Sequence, residues 1–237
     1  MKEHLILGLI SALLLFLGTG KVRAQYTLTD DDVVVTDGVI ESCSYDFTVK
    51  DIIIPKTLDG QTVTGIGDDY KNLFSCKDIE RIELPSSLIS IGYRAFSNNK
   101  LIDIFIPKNV TTIGNEAFCD NLLSYVNIPQ SVNYIGDVAF LNNELNKIVF
   151  TAPSNVKKIG KNAFRFNYLS RVIIPSSVDS IEYYAFSGNN LISLTFKNAS
   201  NISYIGEGAF SFNNLIDLFI YNIITDVKLT DFRNGKK

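Results

Sequence analysis

The pair Ala-Phe stands at 95–96, 117–118, 139–140, 163–164, 185–186 and 209–210. The steps are 22, 22, 24, 22 and 24 residues. Nothing else in the chain limits its fold as strongly, because a fixed period of this size means one small unit stacked many times along an axis. One step back from Phe96 lies Phe74, and one step on from Phe210 lies Phe232. Eight phenylalanines therefore mark eight turns, the first and last degenerate.

Other positions keep the same register. Isoleucine falls five residues before the phenylalanine, at 91, 113, 135, 159, 181 and 205, usually followed by glycine. Asparagine falls three after it, at 99, 121, 143, 167, 189 and 213, and leucine five after it. Two apolar residues separated by one come next, as in Ile104 and Ile106 or Val126 and Ile128. Proline closes the unit at 85, 107, 129 and 175. The two longer steps carry two extra residues each, in "FTAPSNV" and "FKNASNI", which reads as insertion into a loop.

Each part has a physical reading. The alternation in "IDIFIP" has the period of a strand with one buried face. Proline cannot donate to a ladder, so it marks the strand end. "IGNEAF" is too short for a free helix but fits a single helical turn with glycine at a tight entry. Glu182 and Lys228 replace that glycine in two repeats, which argues against a left-handed backbone there. The asparagines can satisfy backbone groups in the following bend, and stacked repeats would align them in a buried ladder. One unit cannot bury its apolar side alone, whereas stacked units share a continuous core.

The unit "LIDIFIPKNVTTIGNEAFCDN", and with it "IPQSVNYIGDVAF" and "IPSSVDSIEYYAF", resembles the leucine-rich repeats of the BspA-like family. That family occurs in secreted and surface proteins of Bacteroidetes, spirochaetes and some mucosal protozoa. The likeness runs over roughly residues 52–232. It implies an α/β leucine-rich-repeat solenoid, with a parallel β-sheet on the concave face and short helical turns or loops on the convex face. Members often have cysteine three residues after Ala-Phe, where this chain has asparagine. They are adhesins or proteins of unknown role, so the resemblance implies binding without naming a partner.

The ends differ from the middle. Lys2, the apolar run Leu5–Leu17, and Val22 with Ala24 at the −3 and −1 positions read as a secretory signal peptide over 1–24. No later stretch has the length of a membrane helix, so the mature chain is expected to be secreted or held at the cell surface without a transmembrane anchor. Residues 25–51 do not repeat, and "VVVTDGVIES" reads as a β-hairpin turning at Asp37-Gly38, an N-terminal cap for the solenoid at 52–232. A tail follows at 233–237.

Composition excludes several chemistries. The leader holds His4, the only histidine, so the mature chain has no imidazole base or imidazole zinc ligand. Losing Lys2, Lys21, Arg23 and Glu3 moves the formal charge from −3 to −5, which disfavours a nucleic-acid partner. Cys43, Cys76 and Cys119 cannot all pair, and Cys43 with Cys76 is the one pairing to consider. The runs Asp30–Asp32 and Asp68-Asp69 lack the spacing of a calcium loop and read as acidic turns. Sequons stand at Asn109, Asn198 and Asn201.

Candidate binding residues lie where strands face outward. One row is Arg81, Asp103, Tyr125, Lys147, Arg171, Ser193 and Asp217. The second is Glu83, Phe105, Asn127, Val149, Ile173, Thr195 and Phe219. Phe105, Val149, Ile173 and Phe219 form an apolar strip for a protein partner, or else the cross-strand packing that flat sheets favour. Lys147 and Arg171, with Tyr125 beside them, suit an acidic side chain or a glycan carboxylate, or else are two solvated chains that splay apart. Glu83 and Asp103 are the one close acidic pair, but Arg81 is expected to pair with Asp103 and no cleft is foreseen for glycoside chemistry. The expected function is thus binding of an extracellular protein such as a host matrix component, with a structural spacer or a glycan-binding protein as alternatives. No cofactor, metal or catalytic residue is expected.

Overall fold

The computed structural model describes residues 23–67, 73–197 and 202–220, with side chains described as far as residue 216. Residues 1–22 of the leader, Asp68-Asp69, Asn198, Asn201, Lys228, Phe232 and the tail lie outside the described residues, and so does the side chain of Phe219. The chain winds as a β-solenoid of parallel strands, and its one helical element among the described residues is the short 3-10 turn Asp30–Asp32.

The phenylalanines set the axis. Phe74, Phe96, Phe118, Phe140, Phe164, Phe186 and Phe210 stack ring on ring, with centroids 5.3–5.6 Å apart. All seven are fully buried, as are the alanines before six of them. Around this stack lie the isoleucines of the "IG" motif and the alternate residues of the longer strands.

Two parallel sheets flank the core. The first, expected from the "IDIFIP" alternation, contains Asp51–Ile53, Arg81–Glu83, Tyr125–Ile128, Lys147–Phe150, Arg171–Ile174, Ser193–Phe196 and Asp217–Ile220. It is split into three pieces. The second was not foreseen. It is continuous over nine strands and is built from pairs such as Ser90–Ile91, Thr112–Ile113 and Tyr134–Ile135. These pairs are too short for a periodic pattern to show, so only stacking reveals them as strands.

The N-terminal hairpin completes this second sheet. Val33–Thr36 and Val39–Cys43 pair antiparallel, and the latter pairs parallel with Gly65–Ile66. Asp37 and Gly38 both have positive φ, 51° and 78°, as a two-residue turn of this hand requires. Tyr26–Thr27 meanwhile extends the first sheet beside Asp51–Ile53. A second Asp-Gly hairpin pairs Thr57–Leu58 with Gln61–Thr62 around Asp59-Gly60.

The "IGNEAF" segments are bends and not helical turns. Each closes with i to i+3 bonds, for example from the Ala117 N–H to the Gly114 carbonyl. The remaining N–H groups donate to the next coil: Glu116, Phe118 and Asp120 to the carbonyls of Asp137, Ala139 and Leu141 at 2.8–2.9 Å. A helix would have spent those donors within its own turn. Two residues per bend take a left-handed backbone. One column is Arg94, Glu116, Val138, Asn162 and Tyr184, and the other is Asn98, Asp120, Asn142, Phe166 and Phe212, with φ between 53° and 64°.

The glycine before each bend has another cause. Its φ is ordinary, but a Cβ on Gly136 would lie 2.5 Å from the Gly114 carbonyl carbon and from the Asn115 nitrogen. Coils touch backbone to backbone there. The asparagine ladder is present as expected. Asn143 Nδ2 donates to Phe118 O one coil back at 2.9 Å and to Phe140 O and Leu141 O in its own coil. Its Oδ1 accepts from the Leu123 N–H at 3.1 Å. The equivalents at 121, 167, 189 and 213 repeat the pattern.

Candidate functional site on the first sheet

Alternation fixes which side chains leave the core. In Tyr125–Ile128 and Arg171–Ile174 the even positions are buried and the odd ones face out. Phe105 is 77 % exposed, Ile173 54 % and Tyr125 43 %. Lys147 and Arg171 are exposed, whereas Asn127, Val149 and Thr195 are half-buried. Asn127 has a structural partner, since its Oδ1 accepts from Thr151 Oγ1 at 3.0 Å. The backbone of Phe219 pairs with Thr195 at the last described strand.

The sheet breaks at the coil that carries Phe105. Residues 103–106 keep the side-chain pattern of a strand, with Ile104 and Ile106 buried, yet form no ladder with either neighbour. Their main-chain groups have no backbone partner in an adjacent coil among the described residues. A groove of about 650 Å³ opens over this break. Its lining includes Pro55, Lys56, Glu83, Asp103, Phe105 and Pro107. No cleft was foreseen here, because the sequence gives no sign that one coil would leave the ladder.

A second break falls between Lys147–Phe150 and Arg171–Ile174. Both breaks coincide with like charges on adjacent coils, Glu83 with Asp103 and Lys147 with Arg171. Lys147 leans the other way, with Nζ 6.0 Å from the Tyr125 ring centroid, within cation–π range. The expected ion pair between Arg81 and Asp103 does not form. Arg81 instead lines a recess with Arg23, Gln25 and Asp51, because its strand pairs with Asp51–Ile53 and not with residues 103–106. Glu83 and Asp103 are both exposed at the mouth of the groove over residues 103–106.

The other polar groups singled out in the sequence serve the scaffold. Asp32 accepts from Thr29 N and from Tyr26 Oη, and Asp30 accepts from the Asp59 N–H. No group of three ligand-type side chains that could hold a metal occurs among the described residues. Cys43, Cys76 and Cys119 are free, so Cys43 and Cys76 do not pair. Among the described residues no helix is long and apolar enough to cross a membrane.

The solenoid is similar to the crystal structure of a leucine-rich repeat protein from Bacteroides ovatus, at a TM-score of 0.62 and 23 % identity. That match covers 81 % of this chain and 50 % of the other, so the chain spans about half the length of that relative. A leucine-rich cell surface protein from Faecalibacterium prausnitzii matches at a TM-score of 0.38 and 19 % identity, over 77 % of this chain and 72 % of that one. No curated protein matches the chain. The family model of the BspA-type leucine-rich repeat region matches residues 41–152 and 149–236 in six copies. With that register filled by the phenylalanine stack and the asparagine ladder, the chain belongs to the BspA-type leucine-rich repeat family.

Proposed function

We propose that the protein is exported, acts at the cell surface or in the surrounding medium, and binds a protein partner through its first sheet without catalysis. The observation that carries this reading is Phe105, 77 % exposed at a groove where the main chain of residues 103–106 has no backbone partner among the described residues. A large exposed ring offers an anchor, and free N–H and C=O groups offer register to an extended segment of a partner. Tyr125, Asn127, Lys147, Val149, Arg171, Ile173, Thr195 and Phe219 complete the face along the axis. A host extracellular-matrix protein is the partner class to try first.

The test is to present the chain from Gln25 onward to immobilised matrix proteins and to a glycan array. Binding to a matrix protein that falls at least tenfold in Phe105→Asp and in Ile173→Asp supports the reading. Binding that survives both changes overturns it. A glycan reading rests on the Lys147–Tyr125 contact, and capture of acidic glycans that Lys147→Ala and Arg171→Ala abolish would put it first. No binding to either set would favour a structural spacer.

A further inference from the structure

The outer bends change character along the solenoid. Over coils 93–98, 115–120 and 137–142 five of the six left-handed slots hold polar residues, and two pairs of these meet across coils. Arg94 meets Glu116 at 3.4 Å, and Asn142 Nδ2 donates to Asp120 Oδ1 at 2.6 Å. In the next three coils Asn162, Gly188 and Gly208 fill three of the six slots, and Phe166, Tyr184 and Phe212 fill the others, with φ of 54°, 56° and 53°. Aromatic residues are ill suited to this backbone, which favours Gly, Asn and Asp. The slot admits Arg94, Glu116 and Val138 as well, so it does not require the rings, and their exposure is what needs a reason. Phe166 is 49 % exposed and Phe212 59 %, so core packing does not explain them either.

The ridge is organised around one guanidinium. Arg165 Cζ lies 4.4 Å from the Phe166 ring centroid and 5.3 Å from that of Tyr184. Among the described residues its one side-chain hydrogen bond is to Asn162 Oδ1, at 3.2 Å, and Nε is buried without a partner. Arg165 takes no carboxylate partner among the described residues, and nor does Lys161, whose Nζ lies 5.9 Å from the Tyr183 ring. Of the two acids on the bends of these three coils, Glu182 pairs with Lys158 at 3.0 Å, and Glu207 forms no ion pair with Arg165 or Lys161 among the described residues. Glycine accommodates the rings. A Cβ on Gly188 would meet Phe166 Cδ1 at 2.6 Å, and one on Gly208 would strike Tyr184 Cε1.

We infer that the outer bends of residues 161–168, 183–188 and 207–212 form a second docking surface, for a protein partner that presents a carboxylate beside an apolar side chain. Arg165 supplies a charge already held in place by two rings, so little freedom is lost on pairing. Phe166, Tyr184 and Phe212 supply the apolar contact, and arginine with aromatic residues is the composition of binding hot spots. Arg165 covers a face of Phe166 that a sugar ring would need for stacking, which favours a protein over a glycan. This surface is separate from the groove at Phe105.

A displayed library of random twelve-residue peptides, selected against the full chain, tests the inference. Selected peptides are expected to share an Asp or Glu next to Phe, Leu or Ile. Their binding, read by fluorescence polarisation, should fall at least tenfold in Phe166→Asn and in Arg165→Ser. Both replacements are residues that the same slots carry in other coils, Asn at 98 and 142 and Ser at 187 and 211. Phe166→Asn should leave the melting temperature unchanged or raise it, since asparagine suits the backbone. A melting temperature lowered by several degrees would mean that Phe166 serves stability, and would overturn the inference. Peptides without a shared acidic–apolar pair, binding unaffected by both variants, or binding lost in Phe105→Asp alone would also overturn it. So would a glycan array bound through Arg165 with no peptide selected.

Discussion

The three cysteines differ in chemistry because they differ in burial. Cys119 is 5 % exposed, and its thiol donates to Asp120 Oδ2 at 2.9 Å. Burial first, and then the Asp120 carboxylate, push that thiol well above its ordinary range. Burial also raises the Cys43 thiol, whereas Cys76 is exposed. Only the thiolate is nucleophilic, so iodoacetamide at pH 8 should label Cys76 fastest, Cys43 more slowly and Cys119 hardly at all in the native protein. Peptide mass mapping over time would show it. Labelling of Cys119 as fast as Cys76 would mean that the bend opens readily. Crowding of Glu116, Cys119 and Asp120 in "IGNEAFCDNLL" suggests a site in one dimension, but Cys119 faces inward and Glu116 pairs with Arg94.

At the scale of the element, the bend is held by two opposed demands. Coils approach so closely at the "IG" glycine that a Cβ has no room, while two residues later the backbone turns left-handed with whatever residue is there. Substitutions at these neighbouring places should therefore act in opposite directions. Gly136→Ala puts a methyl 2.5 Å from the preceding coil's backbone and should cost about 2 kcal/mol or more, as overpacking does. Val138, with φ of 64°, is β-branched in a left-handed position. Val138→Asn should stabilise by about 1 kcal/mol, the scale of the left-handed penalty. Urea unfolding of the two variants against the parent would measure both, and a stabilised Gly136→Ala would refute the close-contact explanation. Glu182 shows that one coil can admit a side chain at this position, so the cost is expected where glycines stand on both sides.

At the scale of the whole molecule, each coil touches only its neighbours, and stability is close to a sum of coil and interface terms. Phe140 sits between rings at 5.3 Å on either side. Phe140→Ala should cost about 3–5 kcal/mol through lost burial and the cavity left behind. The loss should be local in a way that a globular core would not show. Hydrogen exchange should quicken most in residues 134–146 and in the coils stacked on Phe118 and Phe164, and much less near Phe210. An even loss of protection along the chain would contradict the linear view.

The axis, the period and the core columns are legible in one dimension, because these depend on side-chain type recurring at a fixed spacing. Phe118, Ile113, Asn121 and Leu123 could be assigned their roles from one repeat laid on the next. The outward rows of the first sheet were equally legible, since alternation along a strand needs no partner. What happens between coils emerges only when they stack. The second sheet arises from two-residue pairs that no pattern marks as strands, and the glycine column answers to a backbone one coil away. The gap at residues 103–106 and the groove above it depend on whether one ladder closes, an inter-coil balance that no single repeat displays. The ridge at Arg165 needed the left-handed slots to be seen first, because only there do Phe166, Tyr184 and Phe212 become residues that the scaffold does not ask for.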